Sequence, residues 1–132
     1  MNDMRVSDVM QSEVLTTFGE ESLADASQRM RDHDVGALVV LGHDDEMTGV
    51  VTERDVLRSV AEGLAPRVTP MSAIMSTEAL EVTPDTDSEE AARLMVEAGV
   101  RHLPVVRQGA PVGMVSARDL LSVEAWPRLR RE

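Results

Sequence analysis

Two segments of this 132-residue chain place a hydroxyl three residues before a carboxylate, directly after an apolar run: Gly49-Val-Val-Thr-Glu-Arg-Asp55 and Gly113-Met-Val-Ser-Ala-Arg-Asp119. That spacing suits the start of a helix. The hydroxyl of Thr52 or Ser116 can cap a helix-start N–H, and the carboxylate three residues on can cap back. The same geometry suits ligand chemistry. A helix start offers N–H groups and the positive end of a dipole, which favour an anionic group. The carboxylate of Asp55 or Asp119 can accept two hydrogen bonds from a vicinal diol such as that of ribose. Capping and ligand binding are compatible. Gly49 and Gly113 would permit close backbone approach, or simply a turn where a strand begins.

Other chemistry is poorly represented. His33, His43 and His102 are scattered, there is no cysteine, and no nucleophile–base pair stands out, so the chain is not expected to be an enzyme. His43-Asp44-Asp45-Glu46 reads as an acidic hairpin turn rather than a metal site. No GxxxxGK phosphate loop is present. A net charge of −11 repels nucleic-acid phosphates. No apolar run approaches the roughly 18 residues of a membrane span, and the first ten residues are polar and acidic rather than signal-like. The expectation is a cytoplasmic protein with no nucleic-acid polymer and no membrane as partner. Basic residues on so acidic a surface carry more weight; Arg128, Arg130 and Arg131 form a tail cluster that reads as a frayed end.

The elements that must position these residues come in two copies. Val6-Ser-Asp-Val-Met10 recurs 65 positions on as Met71-Ser-Ala-Ile-Met75, and Met30 and Val35 map to Met95 and Val100 at the same offset. Val35-Gly-Ala-Leu-Val-Val40 aligns with Val100-Arg-His-Leu-Pro-Val105. Each half reads as strand, helix, strand, strand, helix. The first strands fall at Val14 to Thr17 and Leu80 to Thr83. Leu23, Ala26 and Met30, then Ala91, Leu94, Met95 and Ala98, mark one face of the following helix. Thr86 with Glu89 suggests a capping box for the second of these helices. The paired apolar runs are Ala37 to Leu41 with Met47 to Val51, and Leu103 to Val106 with Pro111 to Val115. Closing helices start at Thr52 and Ser116. Residues 65–70, bounded by Pro66 and Pro70, read as a linker between repeats at 5–64 and 71–126, with a tail at 127–132. With 42% apolar residues but one Phe, one Trp and no Tyr, the core is built from Val, Leu, Ala and the nine methionines. A single half buries too little to be comfortable alone. The expected fold class is α+β, two such repeats packing with pseudo-twofold symmetry around two related clefts.

The repeat resembles a tandem pair of cystathionine β-synthase (CBS) domains, a Bateman module, over about Arg5 to Glu124. The marks are Asp8-Val-Met10, Gly36-Ala-Leu-Val-Val40, His102-Leu-Pro-Val-Val106 and the two hydroxyl–carboxylate segments. The resemblance implies a stand-alone regulatory module that binds an adenosine-type ligand, with Asp on ribose and Thr or Ser beside phosphate. It implies clefts that combine one repeat's turn with strand segments of the other. The first would take Thr52 and Asp55 with Val82, Val100, Arg101 and His102, and Arg118 near the phosphates. The second would take Ser116 and Asp119 with Thr17, Val35, Gly36 and Ala37, and Arg54 as phosphate partner. Because Arg101-His102 replaces Gly36-Ala37, the first cleft is expected to prefer a phosphorylated nucleotide, the second a less charged adenosine compound. No cofactor is required. AMP, ADP, ATP, S-adenosylmethionine and NAD(H) are the candidate regulatory ligands. A homodimer in a flat four-repeat disk and an effector protein of unknown identity are the implied partners, with Trp126 against the dimer surface or the N-terminal segment. The competing reading is a dimerisation scaffold that binds no ligand.

Overall fold

The computed structural model describes residues 4–124; Trp126 and the tail arginines lie outside the described residues. The elements are α1 (Val6–Val9), β1 (Thr16–Phe18), α2 (Leu23–His33), β2 (Ala37–Leu41), β3 (Met47–Thr52), α3 (Glu53–Ala61), α4 (Met71–Ile74), α5 (Ser88–Ala98), β4 (His102–Arg107), β5 (Ala110–Ser116) and α6 (Ala117–Glu124). The class is α+β. No described helix is long and apolar enough to cross a membrane.

The chain divides into two compact units that partition it differently from the sequence repeats. A continuous unit runs from Val14 to Ala79. A split unit joins the segment ending at Glu13 to the segment starting at Leu80. The continuous unit has a three-stranded sheet, order β1-β2-β3, with β1 parallel to β2 and β2 antiparallel to β3. Its core gathers Leu23, Ala26 and Met30 from α2, Leu38, Val40 and Val51 from the sheet, and Met71 from α4. The split unit has the β4–β5 hairpin, and its core gathers Ala91, Met95, Leu103, Val105 and Val115 with Val6 from α1. Val6 and Met71 are aligned residues, both fully buried. Each closes the core of the repeat it does not begin.

Both short helices arrive over a glycine. Val50 and Ser76 exchange backbone hydrogen bonds of 3.0 and 2.9 Å, and Met114 and Gln11 exchange bonds of 2.9 and 2.8 Å. A Cβ on Gly49 would lie 2.8 Å from both Met75 Sδ and the Ser76 carbonyl oxygen; one on Gly113 would lie 2.6 Å from Met10 Sδ and 3.0 Å from the Gln11 oxygen. The sequence suggested close backbone approach or a turn for these glycines. The structure shows that they make room for the incoming Met10-Gln11 and Met75-Ser76 segments.

Two local expectations are corrected. Leu80 to Thr83 forms no paired strand, only a single bridge from Val82 to Val105. In the continuous unit the Val39 N–H donates to Leu15 O at 3.1 Å; the aligned residue in β4 is Pro104, which has no N–H to give. Thr86 and Glu89 form no capping box. The N-cap of α5 is Asp87, without a side-chain bond, while Thr86 Oγ1 accepts the Thr83 N–H at 3.1 Å and closes the preceding turn.

Gly49→Ala is expected to destabilise the protein by about 1–3 kcal/mol, because the clash is partly with backbone. Gly113→Ala should cost less, since its closest contact is the flexible end of Met10. Urea melts of the two variants check this order.

Candidate functional site

In the continuous unit, α2 ends at Asp34 in the left-handed conformation (φ 54°), and the Val35 N–H returns to Met30 O at 3.0 Å. The aligned end of α5 uses Gly99 (φ 69°), with the Val100 N–H on Met95 O at 3.0 Å. These closures aim the chain into β2 and β4. Gly36-Ala37 and Arg101-His102 follow at once, and each pair lies against the strand-to-helix turn that follows its own hairpin. Ala37 pairs with Thr52 and the Glu53 N–H donates to Gly36 O at 2.9 Å. His102 pairs with Ser116 and the Ala117 N–H donates to Arg101 O at 2.8 Å.

Both turns cap their helices. Asp55 Oδ2 accepts the Thr52 N–H at 2.8 Å, and Thr52 Oγ1 accepts the Asp55 N–H at 3.4 Å. Asp119 Oδ2 accepts the Ser116 N–H at 2.9 Å, and Ser116 Oγ accepts the Asp119 N–H at 3.0 Å. The first and third helix-start N–H groups are thus bonded within the protein, which lowers the capacity of the helix start alone to hold an anion. Each carboxylate still directs its second oxygen, Oδ1, away from the cap. Asp55 Oδ1 stands 3.6 Å from Arg58 Nη1. Asp119 Oδ1 accepts Gln11 Nε2 at 3.2 Å.

The split unit therefore collects Val82, Val100, Arg101, His102, Ser116, Arg118 and Asp119. The continuous unit collects Thr17, Val35, Gly36, Ala37, Thr52, Arg54 and Asp55. Arg101 and Arg118 are exposed and His102 is half-buried. The Val82 side chain belongs to the core of the split unit. Thr17 is buried, and its hydroxyl donates to the Glu21 carboxylate, which Arg29 grips through Nε (3.0 Å) and Nη2 (2.8 Å). Arg29 also donates to Thr16 O, so this trio fixes β1. Thr16, Thr17, Glu21 and Arg29, with Phe18 and His43, line an open depression of about 740 Å³.

Sequence reasoning named Thr17 but missed Gln11 and the partners of Thr17, Glu21 and Arg29. The signal lay in aligned positions where the repeats differ: Gln11 against Ser76, and Arg29 against Leu94. His43, Asp44, Asp45 and Glu46 form the β2–β3 turn, in which Gly42 N–H meets Glu46 O at 2.8 Å and Asp45 takes a positive φ of 61°. No group of three or more metal-ligating side chains gathers among the described residues.

The duplicated hairpin-and-capped-helix geometry coincides with a family match: the CBS domain profile fits residues 6–62 and 71–125. The chain belongs to the CBS-domain family. This CBS pair is 34% identical over 128 residues to an uncharacterized protein of Methanopyrus kandleri, aligning 96% of this chain with 65% of that one. It therefore spans just under two thirds of that relative. It is 36% identical over 116 residues to CBS domain-containing protein YhcV of Bacillus subtilis, covering 87% of this chain and 81% of that protein. Among solved structures, the CBS domain pair of protein MJ0100, in complex with 5′-methylthioadenosine and S-adenosyl-L-methionine, matches with a TM-score of 0.86 at 19% identity, over 94% of this chain and 98% of that one. That likeness is one of fold.

Ser116→Ala and Thr52→Ala are each expected to cost about 1 kcal/mol through loss of a helix cap, read from denaturant melts. A pH effect should come from Glu21. The hydrogen bond from Arg29 is the largest cause holding its carboxyl below the ordinary 4.5, against the opposing effect of burial; the Thr17 hydroxyl and the Arg29 charge add to the lowering. A carboxyl depressed in the folded state contributes stability that is present above its unfolded value and is lost as pH falls through the folded value. Below about pH 4.5, the wild type should lose stability more steeply than Glu21→Gln, measured by urea midpoints across the acid range.

Proposed function

We propose that this CBS pair is a regulatory module, not an enzyme, which takes adenosine-containing ligands at its two hydroxyl–carboxylate turns and passes the change to a protein partner. The observation that carries the reading is the division of labour within each aspartate. Oδ2 of Asp55 and Asp119 holds the cap, so the turn is preformed, and the outward Oδ1, which meets Arg58 at Asp55 and the Gln11 amide at Asp119, is the oxygen offered to a ribose hydroxyl. Thr52 and Ser116 stand beside it for the ribose or a phosphate. The adenosine compounds bound by the MJ0100 pair support this ligand class. AMP, ADP and ATP, S-adenosylmethionine and NAD(H) are the compounds to try, as regulatory ligands rather than cofactors.

The two turns are unequal in charge. Arg101 and His102 lie on the strand beside Ser116, and Arg118 opens α6; Gly36 and Ala37 take the corresponding places beside Thr52. The expectation from the sequence grouped Arg101 and His102 with Thr52 and Asp55 and gave that turn the phosphorylated ligand; the proposal instead follows the neighbourhood within each unit, so a phosphorylated ligand goes to the Ser116–Asp119 turn and a less charged one to Thr52–Asp55. Val35, Val100, Thr17 and Val82 serve by shaping backbone, and Arg54 is the nearest cation in sequence to Asp55. Exposed Leu57 and Val60 on α3 and Leu121 on α6 leave apolar helix surface, which supports a homodimer formed through helices. The cytoplasm is the proposed location.

Thermal melts with each ligand test the reading. A ligand at 100 times its Kd should add about 2.7 kcal/mol of stability. No shift with any of them moves the function to a ligand-free dimerisation scaffold. Arg101→Ala should weaken AMP about five- to tenfold while leaving adenosine nearly unchanged; equal loss for both compounds removes the assigned phosphate contact.

A further inference from the structure

The outer oxygens of the two aspartates are covered differently. Gln11 is clamped beside β5 by its paired backbone hydrogen bonds to Met114. From there its side-chain amide reaches Asp119 Oδ1 at 3.2 Å. In the continuous unit Ser76 holds the aligned place, with the same backbone exchange to Val50. The serine side chain reaches its polar atom two atoms sooner than glutamine does, and Asp55 Oδ1 faces Arg58 instead. Oδ2 of Asp119 already accepts the Ser116 N–H. The Gln11 amide therefore sits on the outward oxygen of this carboxylate, which a vicinal diol would also use.

On the reading that the Asp119 turn binds ribose, we infer that Gln11 is a latch on that turn: its amide competes with the ribose diol for Asp119 Oδ1. Ligand entering the turn displaces the amide, while the backbone clamp to Met114 keeps Gln11 close enough to return when the ligand leaves. The latch sets a threshold concentration for this turn through an amide delivered by the N-terminal segment, whereas at the Thr52–Asp55 turn the same oxygen faces Arg58 of its own helix. It also links occupancy to a residue of the N-terminal segment, outside the repeat that carries Asp119. Competition of this kind differs from a direct contact, in which Gln11 would hydrogen-bond the bound ligand and its loss would weaken binding.

The test uses the full chain with adenosine as probe, followed by NMR at the Ser116 and Asp119 backbone amides, which report this turn alone. Gln11→Ser copies the residue that the other unit carries at this place. It is expected to bind adenosine about three- to tenfold more tightly, the effect of removing a hydrogen bond to a charged group at an exposed position. In the wild type, where no substitution can disturb folding, adenosine should shift the Gln11 side-chain amide signal toward that of a solvated amide. Asp119→Asn should abolish binding here with either residue at position 11. Unchanged or weaker affinity in Gln11→Ser, with Asp119→Asn still abolishing binding, overturns the latch and leaves the ribose reading standing. Binding indifferent to Asp119→Asn, or absent from every form, overturns the ribose reading and the latch with it.

Discussion

The arrangement of this protein depends on a backbone contact that only glycine permits. At Gly49 and Gly113 a neighbouring segment lies so close that a single Cβ would touch a methionine sulfur and a carbonyl oxygen. Paired hydrogen bonds beside each glycine hold the segment down, and the short helix preceding it drops Val6 or Met71 into the core. Backbone polarity is satisfied and apolar area is buried in the same step, so the two contributions reinforce each other. The consequence for chemistry is positional. Residue 11 is delivered to the aspartate of a turn 108 residues away in sequence.

In the candidate turns the capping motif leaves room for the proposed ligand role. The carboxylate caps the helix with one oxygen and keeps the other outward. A helix cap is worth about 1 kcal/mol, enough to preorganise the turn without using up its acceptor capacity. The cost falls on the helix-start N–H groups, two of which are bonded internally in each turn. On the proposed function, a phosphate would have to lean on side-chain cations, and the chain supplies these unevenly. The same uneven supply appears at β1, where Thr17, Glu21 and Arg29 make a polar brace, while the aligned Val82, Thr86 and Leu94 do not.

Much of this was legible in the sequence. The repeat, the α+β class, the hairpins, the closing helices and the reciprocal caps at Thr52–Asp55 and Ser116–Asp119 all follow from local rules: hydrophobic period, turn residues and three-residue spacing. The left-handed helix ends at Asp34 and Gly99 sit at aligned positions for the same local reason. Local rules failed where a partner distant in sequence decides. Leu80 to Thr83 has the look of a strand, but its neighbour offers Pro104 in place of an N–H. Thr86 has the spacing of a cap, but it is drawn to Thr83.

By itself, then, the sequence determined the elements and the chemistry that each carries, because capping, periodicity and proline geometry act over a few residues. Only the tertiary structure decided that the N-terminal helix completes the core around the second repeat's hairpin, that Gly49 and Gly113 make room for the Met75-Ser76 and Met10-Gln11 segments, and that the Gln11 amide meets Asp119. Those outcomes turn on which segments meet across long stretches of chain, where loop closure costs little more as the intervening length grows and complementary packing chooses the partner.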